Sequence, residues 1–130
     1  MRLVLDASAA VNALVPGPRR DGVLDRLGGA ELWAPGLIDT EVISALARLE
    51  RTAQITPDGA ENALAAWSLL RCERVATTAL IAEIWGLRHG IRVADAHYVA
   101  LARRIDAALL TTDARLGRAD LPGVTVLLAR

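Results

Sequence analysis

Short apolar runs with the character of strands alternate along this chain with stretches whose apolar residues recur at helical spacing. Arg2 to Leu5 is the first strand-type run, closed by Asp6. Glu31 to Ala34 is the second, stopped by Pro35-Gly36. Arg74 to Ala76 is a weaker third, Ala107 to Thr111 a fourth and Val124 to Leu128 a fifth. Between them, Val23, Leu24 and Leu27 mark one helix, and Ile38, Val42, Leu46 and Leu49 another. Pro57-Asp58-Gly59 opens a helix bearing Ala63, Leu64, Trp67 and Leu70. Leu80, Ile81, Ile84, Trp85 and Leu87 mark the next, followed by Val93 to Arg104 and a short Ala114 to Ala119. Strands separated by helices imply a parallel sheet with helices on both faces, the α/β class. No repeat, low-complexity tract or linker divides the chain, so residues 1–130 are expected to form one domain.

Composition narrows this picture. Of the residues, 53% are hydrophobic, with three Trp, one Tyr and no Phe, so the core is expected to be aliphatic and Ala-packed. Fifteen basic residues, all arginine, balance fifteen acidic ones. A net charge of zero argues against broad, non-specific nucleic-acid binding but leaves room for a local basic groove. The single Cys72 excludes an internal disulfide framework and a multi-cysteine zinc site, and is expected to be an apolar filler. The first residues lack a signal peptide's apolar run, and no stretch is long enough to span a membrane; a soluble, cytoplasmic protein with no membrane partner is expected.

Four acids sit where such a fold gathers function. Asp6 ends the first strand and Asp113 lies just beyond the fourth. Glu41 is expected in the first turn of the helix after the second strand, and Asp95 in the first turn of the helix before the fourth. In a parallel sheet the helix N-termini share an edge with the strand C-termini, so all four should face one crevice. Converging carboxylates repel each other unless divalent cations neutralise them, and oxygen-only ligands favour Mg²⁺ or Mn²⁺. Carboxylate-held metals suit phosphodiester hydrolysis. Asp and Glu are common in first helical turns as dipole-complementing residues, so any one of these acids taken singly reads as structural, and their joint placement is the informative part.

The segments around these acids resemble the PIN-domain family, specifically its VapC-type toxins, in order along nearly the whole chain. Val4-Leu5-Asp6-Ala7-Ser8-Ala9 resembles the opening motif, and Asp39-Thr40-Glu41-Val42 with Ala45-Leu46 the second. Ala94 to Ala102, containing Asp95, resembles the third, and Leu110-Thr111-Thr112-Asp113 with Arg115-Leu116 the fourth. The resemblance implies a three-layer α/β/α fold with strand order 3-2-1-4-5. It further implies a Mg²⁺-dependent endoribonuclease, with Mn²⁺ as substitute and Asp6, Glu41, Asp95 and Asp113 as both catalytic and metal-holding residues. RNA as substrate, a VapB-type antitoxin as partner and a homodimer follow from the same resemblance.

Spacing adds supporting candidates. Ser8 is expected to cap the first helix while reaching the acids, with Asn12 one turn beyond it. Thr111 is a supporting hydroxyl two residues before Asp113, and Thr112 a candidate cap. Asp39 is expected to cap its helix. His89 and His97 are expected at the surface, outside the chemistry. Arg48, Arg51, Arg71, Arg74, Arg88 and Arg92 are phosphate-contact candidates, although such residues are more often solvated helix residues. Trp67 and Trp85 are expected in the core or an interface. A receiver domain would want a Lys, and a haloacid-dehalogenase-like phosphatase a second Asp at the position of Ser8; neither is present. A PIN nuclease outside a toxin–antitoxin pair and a binding-only PIN-like module remain open alternatives.

Overall fold

The computed structural model describes all residues, Met1–Arg130. Strands β1 (Arg2–Leu5), β2 (Glu31–Pro35), β3 (Glu73–Val75), β4 (Ala108–Thr111) and β5 (Val126–Leu128) alternate with seven helices. The helices are α1 (Ala7–Leu14), α2 (Arg20–Leu27), α3 (Leu37–Arg51), α4 (Pro57–Leu69), α5 (Ile81–Gly86), α6 (Val93–Arg104) and α7 (Ala114–Gly117). The sheet has the order β3-β2-β1-β4-β5 and every pairing is parallel. This is the three-layer α/β/α arrangement, with α5 and α6 together on one side and α1, α3 and α4 in mutual contact on the other.

The central strand explains why the sheet needs both layers. Leu3, Val4 and Leu5 are all fully buried, so side chains on both faces of β1 require cover. They belong to one aliphatic core that Trp67 and Tyr98 join as its only large aromatic members. Cys72 is buried there too, and burial pushes its thiol up to about 11, which suits an inert filler.

The edges depart from the sequence expectation by a residue or two. β3 starts and ends one residue early, and β5 begins only at Val126, because an edge strand extends only as far as its single neighbour offers partners. The helix expected at Leu80 to Leu87 is the short α5, with Leu80 and Leu87 as its caps, and a 3₁₀ turn at Thr77–Ala79 precedes it. Helix α3 begins at Leu37, directly after Pro35-Gly36, which places Glu41 in the second turn and not the first. Asp39 is likewise inside the helix and not its cap.

Asp39 instead joins three elements. Its Oδ1 accepts from Trp67 Nε1 of α4 at 2.9 Å and from Arg74 Nη2 of β3 at 2.8 Å. Its Oδ2 accepts from Arg74 Nε at 3.1 Å. The Arg74 guanidinium also lies 5.0 Å from the Trp67 ring centroid.

Candidate active site

The strand order turns on β1 and β4, which lie side by side while their onward connections leave in opposite directions. Ligands of open α/β sheets bind at such a switch point, beyond the strand C-termini. Asp6 leaves β1 there and is the N-cap of α1, its Oδ1 accepting from Ala9 N at 2.9 Å. Asp113 follows β4 and is the N-cap of α7, accepting from Arg115 N at 2.9 Å. These caps belong to the acids and not to Ser8 or Thr112, because each acid is the last residue before its helix. Asp95 stands in the first turn of α6. All four acids line a single cleft of about 740 Å³, together with Ser8, Asn12 and Tyr98.

Hydroxyls and an amide lock the β1 and β4 ends together. Ser8 Oγ donates to Asp6 Oδ1 at 2.7 Å, lies 3.2 Å from Thr111 Oγ1 and accepts from Thr112 N. Thr111 Oγ1 in turn accepts from Asp113 N at 2.9 Å. Asn12 Nδ2 donates to Ser8 O and to Thr112 Oγ1. Thr111 is fully buried and Asp6 is only 6% exposed.

That burial governs the charge on Asp6. Desolvation raises its pKa from 3.8 to about 6; hydrogen bonds from Thr111, Ala9 and Ser8 offset it in part, and the charge of Asp95 adds to it. Asp113 behaves oppositely. Burial again raises it, but hydrogen bonds and charge from Arg115 outweigh this and hold it below the usual carboxylate range.

Three participants were not legible in the sequence. Tyr98 is buried beside the cleft and its hydroxyl donates to Glu41 Oε1. Burial, with the acceptor carboxylate next, pushes the Tyr98 phenol far up, so it remains a donor. Arg115 donates to both Asp113 Oδ2 and Asp95 Oδ2, at 2.9 and 3.2 Å. Arg92, expected as a phosphate contact or a solvated residue, donates to the same Asp95 oxygen at 3.1 Å. The spacing Asp95 to Tyr98 is one helical turn, and was the one available sign of the tyrosine.

The donor set fits a hard divalent cation. Glu41 Oε2 and Asp95 Oδ1 have no hydrogen-bond partner in the protein, while the other oxygen of each is held. No three acidic side chains converge on a common ion position. Mg²⁺ keeps several waters and needs only one or two carboxylates, so the arrangement suits a hydrated ion. Of the other candidates, Arg48 lines the cleft at some distance along α3 and Arg92 at its acidic end. Arg51, Arg71, Arg74 and Arg88 do not line it; neither does His89, which is exposed, nor His97, whose Nδ1 lies 2.7 Å from Val93 O. Trp85 is not in the core: it is 64% exposed, with the Arg88 guanidinium 4.1 Å from its ring centroid.

Comparison with known proteins fixes the family. Residues 3–121 match the PIN domain. This chain belongs to the PIN-domain family. Within it the similarity is to VapC proteins. The chain is 38% identical to ribonuclease VapC9 of Mycobacterium tuberculosis (strain ATCC 25618 / H37Rv), over 96% of this chain and 98% of the relative. It is 38% identical to ribonuclease VapC3 of the same organism and strain, over 91% and 87% of the respective chains. The PIN domain described here is therefore of the VapC type. A solved neighbour is VapBC2 from Rickettsia felis, crystallised bound to a DNA fragment from their promoter. It superposes with a TM-score of 0.69 and 16% identity over the whole of both chains, a likeness of fold. The β3-β2-β1-β4-β5 sheet of this PIN domain is thus the arrangement that carries Asp6 and Asp113 to one edge.

Proposed function

We propose that this PIN domain is a Mg²⁺-dependent endoribonuclease, with Mn²⁺ able to substitute, acting as the toxin of a VapBC-type toxin–antitoxin pair. The observation that carries the proposal is the delivery of Asp6, Glu41, Asp95 and Asp113 from four separate elements to one cleft. One or two of Asp6, Glu41 and Asp95 would hold a hydrated cation directly and the others through its waters, with Asp113 completing the acidic set. When bound, such a cation acidifies water and neutralises charge on a phosphodiester. Ser8 and Thr111 fix Asp6 and the backbone of Asp113, and Tyr98 orients Glu41.

Asp6→Asn and Asp95→Asn each remove a charge and keep the shape. Both are expected to abolish Mg²⁺-dependent cleavage of RNA, with circular dichroism unchanged. Full activity in a folded Asp6→Asn protein would sink the assignment.

The proposed partner is a VapB-type antitoxin whose chain covers the cleft and offers a basic side chain to the acids. Support comes from the names of the neighbours, VapBC2 of Rickettsia felis among them. A homodimer, a cytoplasmic setting and a single nuclease domain over residues 1–130 belong to the same proposal; no helix is long and apolar enough to cross a membrane. Co-expression with the small open reading frame beside its gene, and purification through a tag on this chain, tests the pairing. Absence of a complex and of protection from growth arrest counts against it.

A further inference from the structure

Arg115 stands on the first turn of α7, two residues beyond Asp113. A single nitrogen of its guanidinium, Nη2, lies 2.9 Å from Asp113 Oδ2 and 3.2 Å from Asp95 Oδ2. It therefore ties the acid that follows β4 to the acid at the start of α6. Arg92 Nε donates to that same Asp95 oxygen at 3.1 Å.

A carboxylate oxygen has two lone-pair sites. Both on Asp95 Oδ2 are taken by guanidinium groups, and Asp113 has one oxygen on the Arg115 side chain and the other on the Arg115 backbone N–H. Asp6 and Glu41 differ, since no cation of the chain touches either. An ion ligated by Asp95 Oδ2 has to displace one of these guanidinium groups, and an ion at Asp95 Oδ1 or Asp113 Oδ2 meets the Arg115 charge at close range. Displacement is cheap in structural terms: the side chains of Arg115 and Arg92 are 55% and 66% exposed, and nothing buried moves with them. Arg115 bridges two acids where Arg92 touches one, so Arg115 couples their charges.

We infer that Arg115 is a positioning residue whose guanidinium serves as an exchangeable counter-charge, holding Asp95 and Asp113 together and competing with the divalent cation for them. The inference rests on the proposed metal-holding role of these acids. It gives the cleft two interchangeable ways of balancing its charge, one internal and one supplied by the ion. It also makes metal affinity a property that Arg115 holds down.

The test is a Mn²⁺ titration of the full chain without RNA, followed by electron paramagnetic resonance or calorimetry, on the parent, Asp95→Asn, Arg115→Gln and Arg115→Lys. Arg115→Gln is expected to bind Mn²⁺ about two- to fivefold tighter than the parent, the size of a partly exposed ion pair. In EDTA it should melt below the parent, and it should gain more from added Mn²⁺. Arg115→Lys keeps the charge without the bridging fork and should fall between the two, which also covers the case of a poorly folded Gln variant. Unchanged or weaker Mn²⁺ binding by folded Arg115→Gln overturns the inference while Asp95→Asn still binds less than the parent. Equal Mn²⁺ binding by the parent and Asp95→Asn removes the metal-holding role itself, and the inference with it.

Discussion

Asp6 is asked to be buried, charged and available to a cation at once, and its environment only partly reconciles these. Burial lifts its pKa to about 6, from 3.8. A carboxyl raised in the folded state stabilises the fold fully below pH 4 and ceases to as the pH rises through 6. The shift corresponds to roughly 3 kcal/mol of stability forfeited at neutral pH without a cation. Asn at this position still caps α1 through its own Oδ1. In EDTA, Asp6→Asn is therefore expected to melt above the parent at pH 7.5 and level with it near pH 4. Thermal melts across this range check it; a mutant less stable at pH 7.5 would show that the charge of Asp6 is favourably held. Tyr98 poses the complementary case, since its buried hydroxyl serves only Glu41. Tyr98→Phe should cost about 1 kcal/mol of stability. Its effect on Mn²⁺ affinity and RNA cleavage should be larger, about ten- to a hundredfold, as for groups that orient a metal-holding carboxylate. Equal cleavage rates in Tyr98→Phe and the parent would reduce the contact to packing.

Most helices and strands were legible in the chain because their apolar periods differ, although β3, β5 and α7 are too short to show one clearly. Their ends were less so. Asp39 illustrates why: as an acid near a helix start it invites the reading of a cap, but its partners Trp67 and Arg74 lie 28 and 35 residues away. Nothing local in a sequence encodes such a meeting. The meeting matters to the fold, since β3 is an edge strand with β2 as its one neighbour and this ion pair ties it to α3. Arg74 foremost, and then Trp67, hold the Asp39 carboxyl below its ordinary range against an opposing effect of burial. Stability from a lowered carboxylate is present above the unfolded pKa and is lost as the pH falls through the folded one. Asp39→Asn keeps an acceptor for Trp67 and removes the charge, so its deficit against the parent should be full at pH 7 and vanish in acid. Asp39→Ala should lose about 1–2 kcal/mol, discounted for the exposure of the pair. Chemical denaturation at the two pH values measures both. RNA cleavage well below the melting point should be unaffected, because Asp39 does not line the cleft.

At the scale of the molecule, topology turns four scattered acids into neighbours, and this too could be foreseen: alternation implies a parallel sheet, and a parallel sheet puts helix starts and strand ends on one edge. The arginines on those acids could not, because two exposed guanidinium groups look in sequence like any solvated helix residue. They change the expected balance of charge. Repulsion alone would make removal of any acid from the cluster stabilising when no cation is present. Asp95, however, accepts from Arg92 and Arg115, whereas Asp6 touches no cation of the chain. Losing the charge of Asp95 forfeits two ion pairs along with the repulsion, and the two effects oppose. In EDTA, Asp95→Asn is therefore expected to melt within a few degrees of the parent, in contrast to the stabilised Asp6→Asn. Added metal should separate them from the parent in the same direction. A cation that binds only the folded state contributes RT ln(1 + [L]/Kd), roughly 2.7 kcal/mol at a hundredfold excess over Kd. The parent should gain this with millimolar Mn²⁺ and each mutant less. Melts of the three proteins with EDTA and with Mn²⁺ decide the matter. An Asp95→Asn protein that is several degrees less stable in EDTA yet gains as much from Mn²⁺ as the parent would assign Asp95 to the α6 dipole and its arginines, and not to the ion.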